Sequence, residues 1–209
     1  MKKQLLGVAL SALLISTAAE ARHFDGGTVG ATVGYGWQSM KFKDAASPAV
    51  KASIAPAGLD VGLNAGYAEK VGSLLLGGDV RAGLGFASKK KSLTLNGNTG
   101  NVKVTQDWLA GVGAIVGGEF ARNWLGFFRL GVDYVHYKTN TTTVISGKKF
   151  GSWAVVPGVG VKMKVTHSLS VDAMYEYSHG FSAKNPSSTV KFDEKPTSNN
   201  IKIGISYYL

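Results

Sequence analysis

Residues 59–86 read LDVGLNAGYAEKVGSLLLGGDVRAGLGF. Leu59, Val61, Leu63, Ala65 and Tyr67 share one parity against Asp60, Gly62, Asn64 and Gly66. After the short stretch Glu69 to Ser73, Leu76, Val80, Ala82, Leu84 and Phe86 oppose Gly77, Asp79, Arg81, Gly83 and Gly85. A period of two is the repeat of a β-strand, whose successive residues point to opposite faces, whereas a helix repeats every 3.6. Two such runs about a short turn predict an antiparallel hairpin with one apolar face and one face of glycine and charge.

The pattern extends outward along the chain. Val29, Ala31, Val33, Tyr35 and Trp37 form one apolar row, and Trp108, Ala110, Val112, Ala114 and Val116 form another against Asp107, Gly111 and Gly113. Phe128, Leu130, Val132 and Tyr134 oppose Arg129, Gly131 and Asp133, while Val155, Val159, Val161 and Met163 oppose Gly158, Gly160, Lys162 and Lys164. Leu169, Val171, Ala173, Tyr175 and Tyr177 alternate with Ser170, Asp172 and Glu176. The final run sets Ile201, Ile203, Ile205, Tyr207 and Leu209 against Lys202, Gly204 and Ser206. The expectation is an all-β chain of about eight strands. Glycine, at 28 residues, exceeds the usual share of about 7% without any collagen period.

Alternation suits a soluble sandwich and a membrane barrel alike, so the connections decide. Strands two to three, four to five and six to seven join through the short stretches Glu69 to Ser73, Glu119 to Trp124 and Thr166 to Ser168. The other joints, about 43–57, 88–101, 138–149 and 180–198, are long and polar. Short turns at one end and long loops at the other are the layout of an outer-membrane barrel, with the long loops outside the cell. Aromatic placement agrees. Tyr35, Trp37, Phe86, Trp108, Tyr134, Trp153, Tyr175 and Tyr177 fall toward the long-loop end, and Tyr67, Phe120, Phe128 and Tyr207 toward the other. Such rows are the girdles of the two membrane interfaces.

At the N-terminus, Lys2 and Lys3 precede the apolar run Leu5 to Ile15 and then Ala19-Glu20-Ala21. This is the layout of a secretory signal peptide, so residues 1–21 are expected to be removed and 22–209 to form one barrel domain. Without a cysteine there is no disulfide, thiolate metal site or thiol nucleophile.

Charge divides by position. The inward parity carries Asp60, Asp79, Asp107, Asp133, Asp172 and Glu176 against Arg81, Lys103, Arg129, Lys162, Lys164 and Lys202. These cancel, which predicts a lumen filled by ion pairs, since unpaired charge in a narrow low-dielectric space is costly. The excess sits in the long loops, most densely at Lys89, Lys90, Lys91, Lys148 and Lys149, the expected site for anionic partners. Inward glycines are what a crowded narrow barrel requires, yet Gly131→Ser is expected to be mild, and Pro157 is expected to make a bulge because it cannot donate to a ladder.

Two patches carry a family resemblance. The run Val156-Pro157-Gly158-Val159-Gly160-Val161-Lys162-Met163-Lys164, the turn Thr166-His167-Ser168 and the run Leu169 to Tyr177 resemble the penultimate hairpin of the OmpA-like and opacity-type small outer-membrane β-barrels. Ile203-Gly204-Ile205-Ser206-Tyr207-Tyr208-Leu209 resembles their last strand, with Leu209 where those proteins have an aromatic residue. The resemblance implies a single transmembrane antiparallel barrel of eight strands and a role in membrane integrity, adhesion or modest permeability.

Sharper chemistries are weaker. Gly111-Val112-Gly113 with Gly117 imitates part of a dinucleotide fingerprint but lacks a strand-then-helix unit. Glu176, Ser178 and His179 hold the residue types of a hydrolytic triad, as a lipid A deacylase would need, but His179 has the opposite parity. The expectation is therefore a non-enzymatic, adhesin-like outer-membrane protein without cofactor or metal. Its basic loops would meet lipopolysaccharide phosphates, outer-membrane lipids or acidic host glycans, and it would bind no nucleic acid and act as a monomer. A narrow porin is the alternative, and a lipid A-modifying enzyme the more distant one.

Overall fold

The computed structural model describes residues 24–43, 51–95, 98–141, 148–181 and 196–209. For 40–43, 51–54, 90–95, 98–102, 104, 139–141 and 148–150 it describes the backbone alone. The expected signal peptide, 1–21, lies outside the described residues. Among the described residues, ten strands run in order: β1 (Gly26–Lys43), β2 (Lys51–Ile54), β3 (Ala57–Val71), β4 (Leu74–Gly85), β5 (Ser88–Leu95), β6 (Asn98–Ala121), β7 (Trp124–Thr141), β8 (Lys148–Lys164), β9 (Leu169–Gly180) and β10 (Thr197–Tyr208).

Eight of them, β1, β3, β4, β6, β7, β8, β9 and β10, form an antiparallel cylinder. It closes where β1 pairs both with β3 and with β10. Closure removes free sheet edges, which is what allows a β-structure to cross lipid. The turns at one end are tight. Val71 faces Leu74 across Gly72-Ser73, where Gly72 takes a φ of +65°, a conformation that costs glycine little. Ala121 faces Trp124 across Arg122-Asn123.

The apolar parity faces outward. Leu63 is 69% exposed and Val159 58%, while Arg129 and Glu176 on the opposite parity are each 1% exposed. Only a lipid solvent makes that inside-out arrangement favourable. At the short-turn end the interior holds an apolar cluster of Phe24, Leu75, Leu125 and Tyr208. Phe24 precedes β1 and folds back into the barrel mouth.

The structure corrects several expectations. The described parts of three of the four expected long loops pair as ladder. β1 and β2 pair from Met40 opposite Ile54 to Lys43 opposite Lys51. β5 pairs with β6 over its whole length, and β7 and β8 still pair at Thr139 opposite Lys148. The barrel wall therefore continues outward as β-ribbons. Pro157 makes no bulge: Val155 opposes His179 and Gly158 opposes Glu176 in one unbroken register, and the ladder simply lacks bridges at Val156 and Pro157. A bulge does occur elsewhere, at Asp107, where the β6–β7 register shifts between Gln106 opposite Tyr137 and Trp108 opposite His136.

Candidate functional site

The interior of the barrel is organised around salt bridges. Arg129 donates in bidentate fashion to Asp79, at 2.8 Å from Nε and 2.7 Å from Nη2. Arg81 is bidentate to Asp133 and also meets Glu176. Lys202 lies 2.9 Å from Glu176 and 3.8 Å from Asp60, and Arg129 Nη1 is 3.7 Å from Glu176. Glu176 is thus the hub of three cations.

Glycine makes room for this network. Each member sits directly across a ladder from one: Asp60 and Lys202 from Gly34, Arg81 and Asp133 from Gly111, Asp79 from Gly113, and Arg129 and Glu176 from Gly158. A Cβ on Gly113 would come within 2.6 Å of the Arg129 guanidinium, and one on Gly131 would overlap the same group. The expected tolerance of Gly131 to a small side chain is therefore withdrawn, because a guanidinium clamped by Asp79 has little freedom to move aside.

The network separates two cavities. The lower one, about 90 Å³, lies toward the short-turn end between the apolar cluster and Arg81, Asp60 and Lys202, and Lys162 and Asp172 also line it. The upper one, about 30 Å³, is lined by Gln38, Gln106, Tyr137, Ser178 and Asn200 above the same three charged residues. A hydrogen bond from Gln38 to Gln106 spans this upper chamber. Lys162 and Asp172 face each other across the β8–β9 ladder, so they are inward as expected, but they stand apart from the hub.

Three expected lumen residues lie elsewhere. The bulge puts Gln106 inside and turns Asp107 outward, where its carboxylate meets Lys138 at 2.8 Å and His136 Nδ1 at 3.4 Å. The hydrogen bond from Lys138 holds the Asp107 carboxyl below the usual carboxylate range. The same shift of parity leaves Lys103 exposed on the ribbon. Lys164 belongs to the short-turn rim, with its ammonium 4.4 Å from the Tyr208 ring centroid and 3.3 Å from the His167 carbonyl oxygen. Without these three, the inward charges are Asp60, Asp79, Asp133, Asp172 and Glu176 against Arg81, Arg129, Lys162 and Lys202. The expected cancellation becomes a formal excess of one negative charge.

At the outer aromatic girdle, Trp108 stacks on His136 with centroids 5.4 Å apart, and Tyr134 packs between Trp108 and Trp153 at 5.6 and 5.2 Å. Of the five expected anion-binding lysines, Lys89 is described in full and is exposed. The side chains of Lys90, Lys91, Lys148 and Lys149 lie outside the described part, and the ladder fixes their backbone places. Lys90 opposes Lys103, and Lys149 opposes Lys138. Lys89 and Lys91 oppose Val104 and Val102, and Lys148 opposes Thr139, in the intervening rows. The five therefore divide between the two faces of the wall. The hydrolytic trio is not assembled either, since Glu176 is held by Arg81 and Lys202 while His179 lies beside Tyr177 on the outer side.

The family model of the outer membrane protein beta-barrel domain matches residues 6–208. Among solved structures, the fold is similar to Neisserial surface protein A (TM-score 0.53, 16% identity, covering 88% of this chain and 97% of that one). Similarity extends to Ail, the attachment invasion locus protein of Yersinia pestis, in complex with the heparin analogue sucrose octasulfate (TM-score 0.46, 13% identity, 88% and 99% covered). The N-terminal β-barrel domain of Pseudomonas aeruginosa OprF is also similar (TM-score 0.43, 12% identity, 84% and 96% covered). No curated protein sequence matches the chain. A closed, inside-out antiparallel barrel and a family match over nearly its whole length lead to one conclusion: the chain belongs to the outer membrane protein β-barrel family and resides in the bacterial outer membrane.

Proposed function

We propose that this barrel is a closed, non-enzymatic surface protein whose basic outer ribbons bind anionic groups, either lipopolysaccharide phosphates or acidic glycans of a host surface. The observation that carries the reading is a repeated cross-strand pairing of like charge. Lys43 stands opposite Lys51, Lys90 opposite Lys103 and Lys138 opposite Lys149. Like charges placed directly opposite in an antiparallel ladder are destabilising; Asp107 offsets the last of these pairs through Lys138. An anion laid across the ribbons relieves the repulsion and gains a field that reaches about 8 Å in physiological salt.

A narrow porin is the second reading. The lower cavity favours it, and the Arg81–Glu176–Lys202 layer above that cavity opposes it. Catalysis finds no support in a Glu176 fully engaged by cations, and a cylinder with a ladder on both sides of every strand supports a monomer. The test compares cells carrying the wild-type barrel with cells carrying Gln at Lys89, Lys90, Lys91, Lys148 and Lys149. Their binding to immobilised heparin and to lipopolysaccharide is followed across a salt series. Weaker binding and a shallower salt dependence are expected of the variant. Unchanged binding to both ligands overturns the reading.

A further inference from the structure

The ladder sorts the outer lysines by face, and the sorting is not random with respect to the membrane. On the lipid-facing parity, Trp37 is followed four residues up β1 by Lys41, Tyr134 four residues up β7 by Lys138, and Trp153 four residues down the sequence of β8 by Lys149. Four residues of strand span about 13 Å, and a strand tilted by about 40° turns that into a height of roughly 10 Å above the aromatic girdle. This is where lipid headgroups stand above the interface marked by tryptophan and tyrosine.

The bulge at Asp107 completes the set. Below it, even-numbered residues of β6 such as Trp108 and Val112 face lipid. Above it, the shifted register places Thr105 opposite Lys138 and Lys103 opposite Asn140, so the odd-numbered residues take the lipid-facing side. Lys103 thereby joins Lys90, its direct partner in β5, on the same side as Lys138 and Lys149. Without the extra residue, Val102 and Val104 would occupy that face. Lys90, Lys103, Lys138 and Lys149 are thus placed on the outside of the wall, in neighbouring strands about 4.8 Å apart. Asp107, turned outward by the same bulge, is already satisfied by Lys138 and His136.

We propose that Lys90, Lys103, Lys138 and Lys149 form a lateral site for the phosphate groups of a phosphorylated outer-leaflet glycolipid, with the Trp108–Tyr134–Trp153 cluster seating the lipid below. This rests on the reading that the basic ribbons take anions, and it assigns the lipid-facing half of them a partner in the same membrane. Lys89, Lys91 and Lys148, on the opposite face, are left outside the lipid site.

The test uses refolded full-length barrel in nanodiscs of zwitterionic phospholipid containing dansyl-labelled diphosphoryl lipid A or its dephosphorylated form. Energy transfer from the tryptophans reports lipid at the wall. Wild type is expected to favour the diphosphoryl form. Lys90→Gln, Lys103→Gln and Lys149→Gln together should lower that preference by up to about a hundredfold, while Lys89→Gln, Lys91→Gln and Lys148→Gln leave it near wild type. Arg at the first three positions should retain it. Should the triple variant fail the heat-shift assay for folding, the exposed single substitution Lys103→Gln carries the same comparison.

Equal losses in both triple variants, or no loss in the first, overturn the lipid site. If heparin binding still falls in the five-lysine variant, the broader reading stands while this one fails. If heparin and lipid A are both indifferent, the two fall together.

Discussion

Replacing Glu176 by Ala removes the carboxylate on which Arg81, Arg129 and Lys202 converge. The consequences are unequal. Arg81 keeps its bidentate contact with Asp133, and Arg129 keeps Asp79 at 2.7 and 2.8 Å. Lys202, 5% exposed, is left with Asp60 at 3.8 Å as its one ion-pair partner among the described residues. A buried charge deprived of its partner typically costs about 3–5 kcal/mol, and the surviving Asp60 contact places this case near the lower figure, about 3 kcal/mol. That is more than a hundredfold in the folding equilibrium, at about 1.4 kcal/mol per factor of ten. Removing both partners, Glu176→Ala with Lys202→Ala, should cost less than the sum of the two single changes, because neither charge is then stranded. The assay is reversible urea unfolding of the barrel in phospholipid vesicles, followed by tryptophan fluorescence, with stabilities taken from the linear dependence on denaturant. A single variant within about 0.5 kcal/mol of wild type, or strictly additive singles, would refute the hub assignment.

Three further outcomes are expected. Val132→Arg, on the lipid face, should lower stability by about 2–4 kcal/mol in the same urea assay, whereas Asn64→Ser on the cavity wall should cost far less; equal costs would reverse the assigned faces. Gly113→Ala should cost about 1–3 kcal/mol by displacing the Arg129 guanidinium from Asp79, and a neutral result would mean that the guanidinium is free to move. Asp107→Asn should leave urea stability nearly unchanged while Asp133→Asn lowers it, because the bulge places Asp107 in water beside Lys138; matching losses would return Asp107 to the lumen.

How much of this was legible in the sequence varies with the physics of each part. The barrel was, because lipid on one side and a crowded lumen on the other enforce a strict period of two, from Val29 to Trp37 and again from Ile201 to Leu209. Most of the hub was also legible, since Asp60, Asp79, Arg81, Arg129, Asp133, Glu176 and Lys202 all hold the inward parity. Lys103 and Asp107 were misplaced because a single extra residue reverses every face beyond it, and Gln106-Asp107-Trp108 carries no proline or glycine to announce the bulge. Lys164 was misplaced because parity says which way a residue points but not where the lumen ends.

The outer ribbons read as loops in the sequence because the joints are long and polar. A signal was nonetheless present at Asn96-Gly97, a dipeptide favoured in two-residue hairpin turns, between the segments that pair as β5 and β6. The sorting of lysines by face needed the register itself, which pairs residues distant in sequence.

Planar-bilayer recording of the refolded wild-type barrel tests the central claim, that the lumen is closed by its ion pairs and that function resides at the basic outer end. The lower cavity is lined by Asp60, Arg81 and Lys202 on one side and by Phe24, Leu75, Leu125 and Tyr208 on the other. The account predicts a silent bilayer from correctly folded, heat-modifiable protein. Steady, reproducible single-channel steps would contradict it and make the barrel a pore.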